Sequence, residues 1–453
     1  MKARHLILVL TILSVVLLAA CAPAPAPTPT AAPPTAVPPT AVPATKAPEP
    51  TKAPEATKAP AATAPPAATT APVATTAPAA TKAPAVAVPG VTDSEIVIGS
   101  WGPQDGPAGA YGVIDRTIAG FFKKVNDEGG INGRKVRFIY ENDSYQSAKT
   151  VGAVKKLVEE DKVFALVAGL GTANNLAVMD YLVQNNVPHV GPATGSTTLA
   201  VPLKKNVYAV QLNYMTEATL LTQYALDTLK SKKVAVFWQN DAFGKEGLNT
   251  INAVLKKAGL ADATAVSYET ADTNFSAQAL KLQTSGADTV ILWAVPKPGG
   301  SVLAEMNKIG YTPKILSSAV LNDPAIFQLA GPGIEGVVIP AWLPAYDDLT
   351  NPKIVQWQAD MKKYAPAEQI GGFALSGWTE AQILAEGLKR TGKDLTRESF
   401  LKTMDSMKDY KDSILPTISY AGDDHAGTKT AYFQKADTKA GKWVTFTDWL
   451  SIK

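Results

Sequence analysis

The sequence predicts an α/β protein whose working part folds as two lobes, each a parallel sheet flanked by helices. Three observations carry this expectation. From about residue 94 onward, short β-branched runs alternate with longer stretches of helical periodicity. A β-α-β-α order calls for parallel sheets with helices on both faces and right-handed crossovers. One continuous sheet through all these strands would be improbably large, and about 360 residues suffice for two lobes.

The elements follow in order. "EIVIGS" (95–100), "RKVRFIYEND" (134–143), "VFALVAG" (163–169) and "VPHVGPA" (187–193) read as strands. "GVIDRTIAGFFKKVNDEGG" (112–130) and "SAKTVGAVKKLVEED" (147–161) read as helices between them. In the second, Ala148, Val151, Val154, Leu157 and Val158 recur near every 3.6 residues and make one apolar face. Gly129-Gly130 is expected to stop the first helix with a left-handed cap, and Asn132-Gly133 to turn the chain into the next strand.

Downstream, "KKVAVFWQN" (232–240) and "ADTVILWAV" (287–295) are expected strands. "KEGLNTINAVLKKAG" (245–259) and "SVLAEMNKIGY" (301–311) are the helices that follow them. The end of the chain breaks the pattern: "TKTAYFQKA" (428–436) and "GKWVTFTDWL" (441–450) read as an antiparallel hairpin.

The front of the chain is different material. Lys2 and Arg4 precede an apolar run, Leu6–Leu18, with the layout of a secretory signal over residues 1–20. That run is too short to be a comfortable membrane span. It ends in Leu18-Ala19-Ala20-Cys21, which resembles the lipobox of bacterial lipoproteins and implies a lipid on Cys21. The plainer alternative is ordinary cleavage that leaves a free thiol. Cys21 is the sole cysteine, so no disulfide can form within the chain. Residues 22–90 contain 19 of the 34 prolines and no aromatic residue. Such a segment cannot bury enough apolar surface to fold, so residues 21–90 are expected to form a disordered, lipidated tether. Fully extended it would reach on the order of 200 Å.

Six of the 43 basic and two of the 40 acidic residues precede residue 91, leaving 37 and 38 and a formal charge of −1. A near-neutral domain without a basic run offers no electrostatic footprint for nucleic acid. A monomer that binds a small molecule is the expectation.

In open α/β sheets, ligands sit outside the carboxyl ends of the strands. "VAGLGTANNLAV" (167–178) places Thr172 at a helix start after a Gly-rich turn, and "GPATGSTTL" (191–199) repeats the arrangement with Thr194, Gly195 and Ser196. Free N–H groups and hydroxyls there suit an anion. Each loop alone reads equally as a good N-cap; two on adjacent strand ends point to a carboxylate site. Trp101 and Tyr111 follow the first strand, Phe243 sits in "QNDAFGKEG", and Trp293 lies in "LWAVPKPGG". These aromatics are candidates to wall an apolar pocket, with Trp293 equally readable as core.

Catalytic and metal chemistry is hard to assemble. Only His189 and His425 remain after the signal, and His189 reads as a packed strand residue. There is no Walker-type phosphate loop, GxSxG elbow or His-rich metal spacing. "GDDHAG" (422–427) reads as a turn, since it lacks the alternating ligands of a calcium loop. No cofactor, no metal and no enzymatic activity are expected.

Taken together, "IGSWGPQDGPAGAYG", "VNDEGGINGRKVRFIYEND", "KKLVEEDKVFALVAG", "NNVPHVGPATGS", "QNDAFGKEG" and "LAEGLKRTG" resemble the substrate-binding proteins of ABC importers of the leucine/isoleucine/valine type. The likeness runs from about residue 94 to the end in motif order. It implies the type I periplasmic-binding-protein fold, with two Rossmann-like lobes joined by three crossovers, placed near 211–215, 340–344 and 416–420. Lobe 1 would then comprise about 94–213 and 342–417, and lobe 2 about 214–341 and 418–453.

The resemblance also implies that the ligand carboxylate is held by Thr172 and Ala193-Thr194-Gly195-Ser196, with Tyr111 and Phe243 as aromatic walls. Amino-acid binders of this type place an acid for the ammonium group in the loop matching "LSSAVLND" (316–323). Here those positions hold Ser318 and Ala319, with Asp323 several residues on. The expectation drawn from that gap is an apolar or aromatic carboxylate, or an uncharged analogue. The implied role is a lipid-anchored, extracytoplasmic receptor that closes over a small carboxylate-bearing ligand, a branched-chain or other amino acid or such an apolar or aromatic carboxylate, and presents it to an ABC permease and its ATPase. The alternative is a sensor ectodomain reporting to a separate signalling partner, with a lipoprotein enzyme third.

Overall fold

The computed structural model describes residues 87–451. The signal, Cys21 and the tether up to residue 86 lie outside the described residues. The first sheet is built from β1 (Glu95–Gly102), α1 (Val113–Asp127), β2 (Lys135–Asn142), α2 (Ser147–Lys155), β3 (Ala165–Val167), α3 (Thr172–Gln184), β4 (His189–Val190) and β5 (Val207–Tyr208). Its strand order is β2-β1-β3-β4-β5, and every pairing is parallel.

The chain then crosses to α4 (Tyr214–Gln223) and builds β6 (Val234–Gln239), α5 (Ala242–Lys257), β7 (Thr264–Tyr268) and α6 (Ser276–Thr284). It continues through β8 (Thr289–Trp293), α7 (Pro296–Lys308), β9 (Lys314–Ser317), α8 (Ala325–Ala330) and β10 (Val338–Ala341). A return to the first lobe supplies α9 (Pro352–Tyr364), α10 (Gly372–Thr391) and α11 (Arg397–Asp405). The terminal strands β11 (Thr430–Asp437), β12 (Lys442–Thr445) and β13 (Leu450–Ser451) complete the second sheet. Its order is β12-β11-β10-β9-β8-β6-β7, with β13 also paired to β11. The hairpin strands β11 and β12 are antiparallel, as expected of the two terminal runs, and Gly441 between them has φ 65°.

Both parallel cores therefore share one winding, 2-1-3-4-5 in the first sheet and 7-6-8-9-10 in the second. Each has its switch point beside its first strand, between β1 and β3 and between β6 and β8. Strand order alone thus nominates four loops: those after β1, β3, β6 and β8.

The strands pass their side chains alternately to two faces, as a pleated strand requires. In β1, Ile96 and Ile98 join the core under α1 and α10, while Val97 and Trp101 join the opposite core under α2 and α3. Gly120 in α1 lets the neighbouring segment come close, since a Cβ there would stand 3.0 Å from the Ala365 side chain.

Two details depart from the sequence expectation. The helix α7 begins at Pro296, absorbing the "PKPGG" read as loop. Proline suits its first turn, where no N–H partner is needed. Its glycines admit neighbours: a Cβ on Gly300 would stand 2.4 Å from Leu329. The third crossover also falls later than 416–420. Ala426 still pairs with Ala209 beside the first sheet, the Tyr420 hydroxyl donates to the Ala209 carbonyl, and β11 begins at Thr430. Residues 418–428 thus belong to lobe 1, held there by Tyr420 and His425 packed on Tyr208.

Candidate functional site

The four switch-point loops converge on one cleft between the lobes, whose free cavity volume is about 80 Å³. Tyr111 comes from the loop after β1, Gly171 and Thr172 from the loop after β3, Phe243 from that after β6, and Val295 from that after β8. The hinge segments add Gln211, Leu212, Trp342 and Leu343. Among the described residues, no Lys, Arg or His lines the space.

One end of the cleft is a shelf of hydrogen-bond donors. Gly169 and Gly171 have φ of 82° and 100°, so the chain after β3 turns sharply into α3. No side chain caps that helix, which leaves its first-turn N–H groups without a side-chain acceptor. The Thr172 and Thr194 hydroxyls lie 2.7 Å apart, joining the loops after β3 and β4. A carboxylate placed there would meet hydroxyl and backbone donors at a positive helix end.

The walls are aromatic. Tyr111 stacks near Phe373 with ring centroids 4.3 Å apart, and its hydroxyl donates to the Val320 carbonyl across the cleft at 3.2 Å. Phe243 lies 5.2 Å from Tyr214. Tyr145, Trp342 and Tyr346 complete the ring of aromatics.

The lobe 2 side of the cleft carries an acid that the sequence reading did not find. Glu217, on α4, lines the cleft and is 2% exposed. Its Oε1 accepts the Ala319 N–H at 2.6 Å. Burial pushes its carboxyl up to about 7, against hydrogen bonds from Ala319 and Ser318 that pull it down. Nearby, Asn322 donates to Gln434 at 3.2 Å, while its Oδ1 is buried with no protein partner. That oxygen is an acceptor available to a ligand. An acid thus reaches the cleft from α4 rather than from the loop at 316–323. The signal was readable: Tyr214, Glu217, Ala218, Leu221 and Ala225 share the buried helical face, and a lone acid there demands a reason.

The nine sequence candidates divide clearly. Tyr111, Thr172, Ala193 and Phe243 line the cleft. Thr194 stands one hydrogen bond behind Thr172. Gly195 supports Tyr214, whose N–H donates to the Gly195 carbonyl at 2.7 Å. Trp293 is fully buried behind Phe243, donating to its carbonyl at 3.1 Å. Ser196 turns away from the cleft to Glu246. Trp101 is a correction: the pleat of β1 sends it to the far face, fully buried 5.1 Å from the His189 ring.

Further carboxyls surround the cleft. Glu380 bonds Ser376 at 3.0 Å and Gln211 at 3.2 Å, its Oε2 has no partner, and burial pushes it up to about 8. Burial raises Asp115 to about 7 and Asp323 to about 6. Unfolded, these groups titrate near 3.8 or 4.5. Below that range both states hold the proton; between about 4 and 8 the unfolded chain releases it first, so folding stability falls as pH rises. The ligand-free protein is expected to melt about 5 °C or more lower at pH 8 than at pH 5. Calorimetry at the two values checks this, and a higher melting temperature at pH 8 contradicts it.

Known proteins resemble this chain over the same span. Residues 95–442 match the family model described as periplasmic binding protein. A Leu/Ile/Val-binding protein homolog from Brucella melitensis is 26% identical over 331 residues, covering 72% of this chain and 88% of its own. A branched chain amino acid ABC transporter structure from Thermus thermophilus, with bound valine, aligns with a TM-score of 0.73 at 18% identity, covering 79% of this chain and 97% of that one. A fatty acid ABC transporter substrate-binding protein from Thermomonospora curvata gives the same TM-score at 21% identity, covering 80% and 94%. The shared architecture carries ligands of quite different chemistry, so specificity must be argued from the cleft.

Proposed function

The chain belongs to the periplasmic binding protein family, and on that premise we propose that it is the extracytoplasmic receptor of an ABC importer for an α-amino acid with an apolar or aromatic side chain. One observation carries the ligand class: a shelf of neutral donors in lobe 1 faces, within one aromatic-walled cleft, a buried acid and an unpartnered carbonyl oxygen in lobe 2. The carboxylate goes to Thr172 and the start of α3, and the ammonium group to Glu217 and Asn322 Oδ1. Tyr111, Phe243, Trp342 and Phe373 enclose the side chain.

A ligand touching both lobes favours the closed state, and closure is the form a permease would recognise. Binding without turnover suits the histidines. His189 is fully buried, bonded to the Ala168 carbonyl at 2.6 Å and lowered to about 4 by burial. His425 bonds the Val207 carbonyl at 2.7 Å and stacks on Tyr208. Among the described residues, no helix is long and apolar enough to cross a membrane. A lipid on Cys21 and an extended tether would keep the receptor at its permease.

Thr172→Val keeps the shape and removes a donor to a charged group, an interaction worth about 1.5–3 kcal/mol. Affinity for L-leucine or L-phenylalanine, whichever binds the wild type, is expected to fall between about tenfold and a hundredfold in titration calorimetry. An unchanged dissociation constant would move the carboxylate elsewhere.

A further inference from the structure

We propose that Glu246 is a closure latch, a residue that never touches the ligand yet sets how much of the receptor is shut. It lies on α5 in lobe 2, while its partners lie on the lobe 1 loop that follows β4. The Ser196 hydroxyl donates to Glu246 Oε2 at 2.8 Å, and the Thr197 N–H donates to Oε1 at 2.7 Å. Both carboxylate oxygens are thus spent across the lobe boundary. The Thr198 hydroxyl lies 2.9 Å from Ser196 Oγ and orients it. No ion pair competes for Glu246 among the described residues.

Position separates this contact from two bridges that cross the cleft itself. The Tyr111–Val320 and Tyr145–Gln239 hydrogen bonds involve side chains that line the cleft, so an incoming ligand can disturb them. Ser196, Thr197 and Glu246 stand outside the cleft lining and are equally available with and without ligand. Charge-assisted bonds to a single carboxylate are the strong kind, and they exist only when the lobes meet. The latch therefore raises the closed fraction of the empty receptor. Apparent affinity scales with the fraction of molecules already competent to bind, so the latch sets affinity without touching solute. It also explains why Ser196, which the sequence assigns to the ligand, points elsewhere.

The proposal deepens the receptor reading above and rests on it only for the effect on affinity. The test uses the full chain with Cys21→Ser, spin-labelled through Lys155→Cys on α2 and Lys257→Cys on α5. Pulsed dipolar spectroscopy without ligand is expected to show a short-distance population that Glu246→Ala depletes about tenfold. Ser196→Ala, losing one of two bonds, should deplete it less. With L-leucine as probe, the dissociation constant should rise by the same factor, through faster release. Coincident distance distributions for wild type and both variants, or no short-distance population in the wild type, overturn the latch. Failure of L-leucine to bind the wild type would count against the amino-acid reading, while the ligand-free distances would still decide the latch.

Discussion

Glu217→Ala is expected to weaken amino-acid binding by about two to three orders of magnitude. Removing one partner of a buried charge pair costs about 3–5 kcal/mol, because the other charge stays buried without compensation. Among the described residues, no other acid lines the cleft to take over. Glu217→Gln should lose nearly as much affinity while keeping an acceptor for the Ala319 N–H. It should also leave the ligand-free melting temperature at pH 8 unchanged or higher, since the neutral amide avoids burying a charge. Titration calorimetry with the wild type's best amino acid measures the first effect and scanning calorimetry the second. Equal affinity across wild type and both variants would mean the acid only caps the 319–321 turn.

Gly372→Ala is the second large effect, and it separates closure from folding. Gly372 opens α10 in lobe 1, and a Cβ built on it would stand 1.9 Å from the Asn322 carbonyl oxygen in lobe 2. Its neighbour Gly371 is also close, a Cβ there standing 2.6 Å from Asp323 Oδ2 and 2.8 Å from the Pro324 ring. A methyl group therefore cannot enter while the lobes are closed. The lobes can swing apart to admit it, which removes the clash without unfolding either sheet. Affinity is expected to fall at least a hundredfold while the ligand-free melting temperature moves by only a degree or two. A large melting shift with retained affinity would show that the contact is structural.

Much of this architecture was legible in the sequence because periodicity reports burial directly. The alternation at 95–193 and 232–311 specified parallel sheets, and the terminal hairpin announced its antiparallel pairing. The strand-end rule then led to Tyr111, Thr172 and Phe243, and the family resemblance to Ala193, all of which line the cleft. What stayed hidden depended on direction and on distant pairing. Trp101 was placed by loop proximity, but its side chain follows the pleat of β1 into the core. Ser196 looked like its neighbours, yet its partner lies fifty residues away on another lobe. Glu217 lies on a helix about a hundred residues before the 316–323 loop, so that loop's sequence does not reveal it, although helical phase marks it as buried.

The central claim is that the cleft recognises a carboxylate at one end and an ammonium group at the other. Thermal shift of the full chain with L-leucine, its 2-oxo acid and isoamylamine tests it most directly, with L-phenylalanine and phenylpyruvate run in parallel. A ligand at a hundred times its dissociation constant should add about 2.7 kcal/mol. The account predicts that an amino acid stabilises the protein, while its deaminated and decarboxylated analogues at the same concentration do not. Stabilisation by a 2-oxo acid equal to that by its amino acid would contradict it and leave Glu217 without a ligand role.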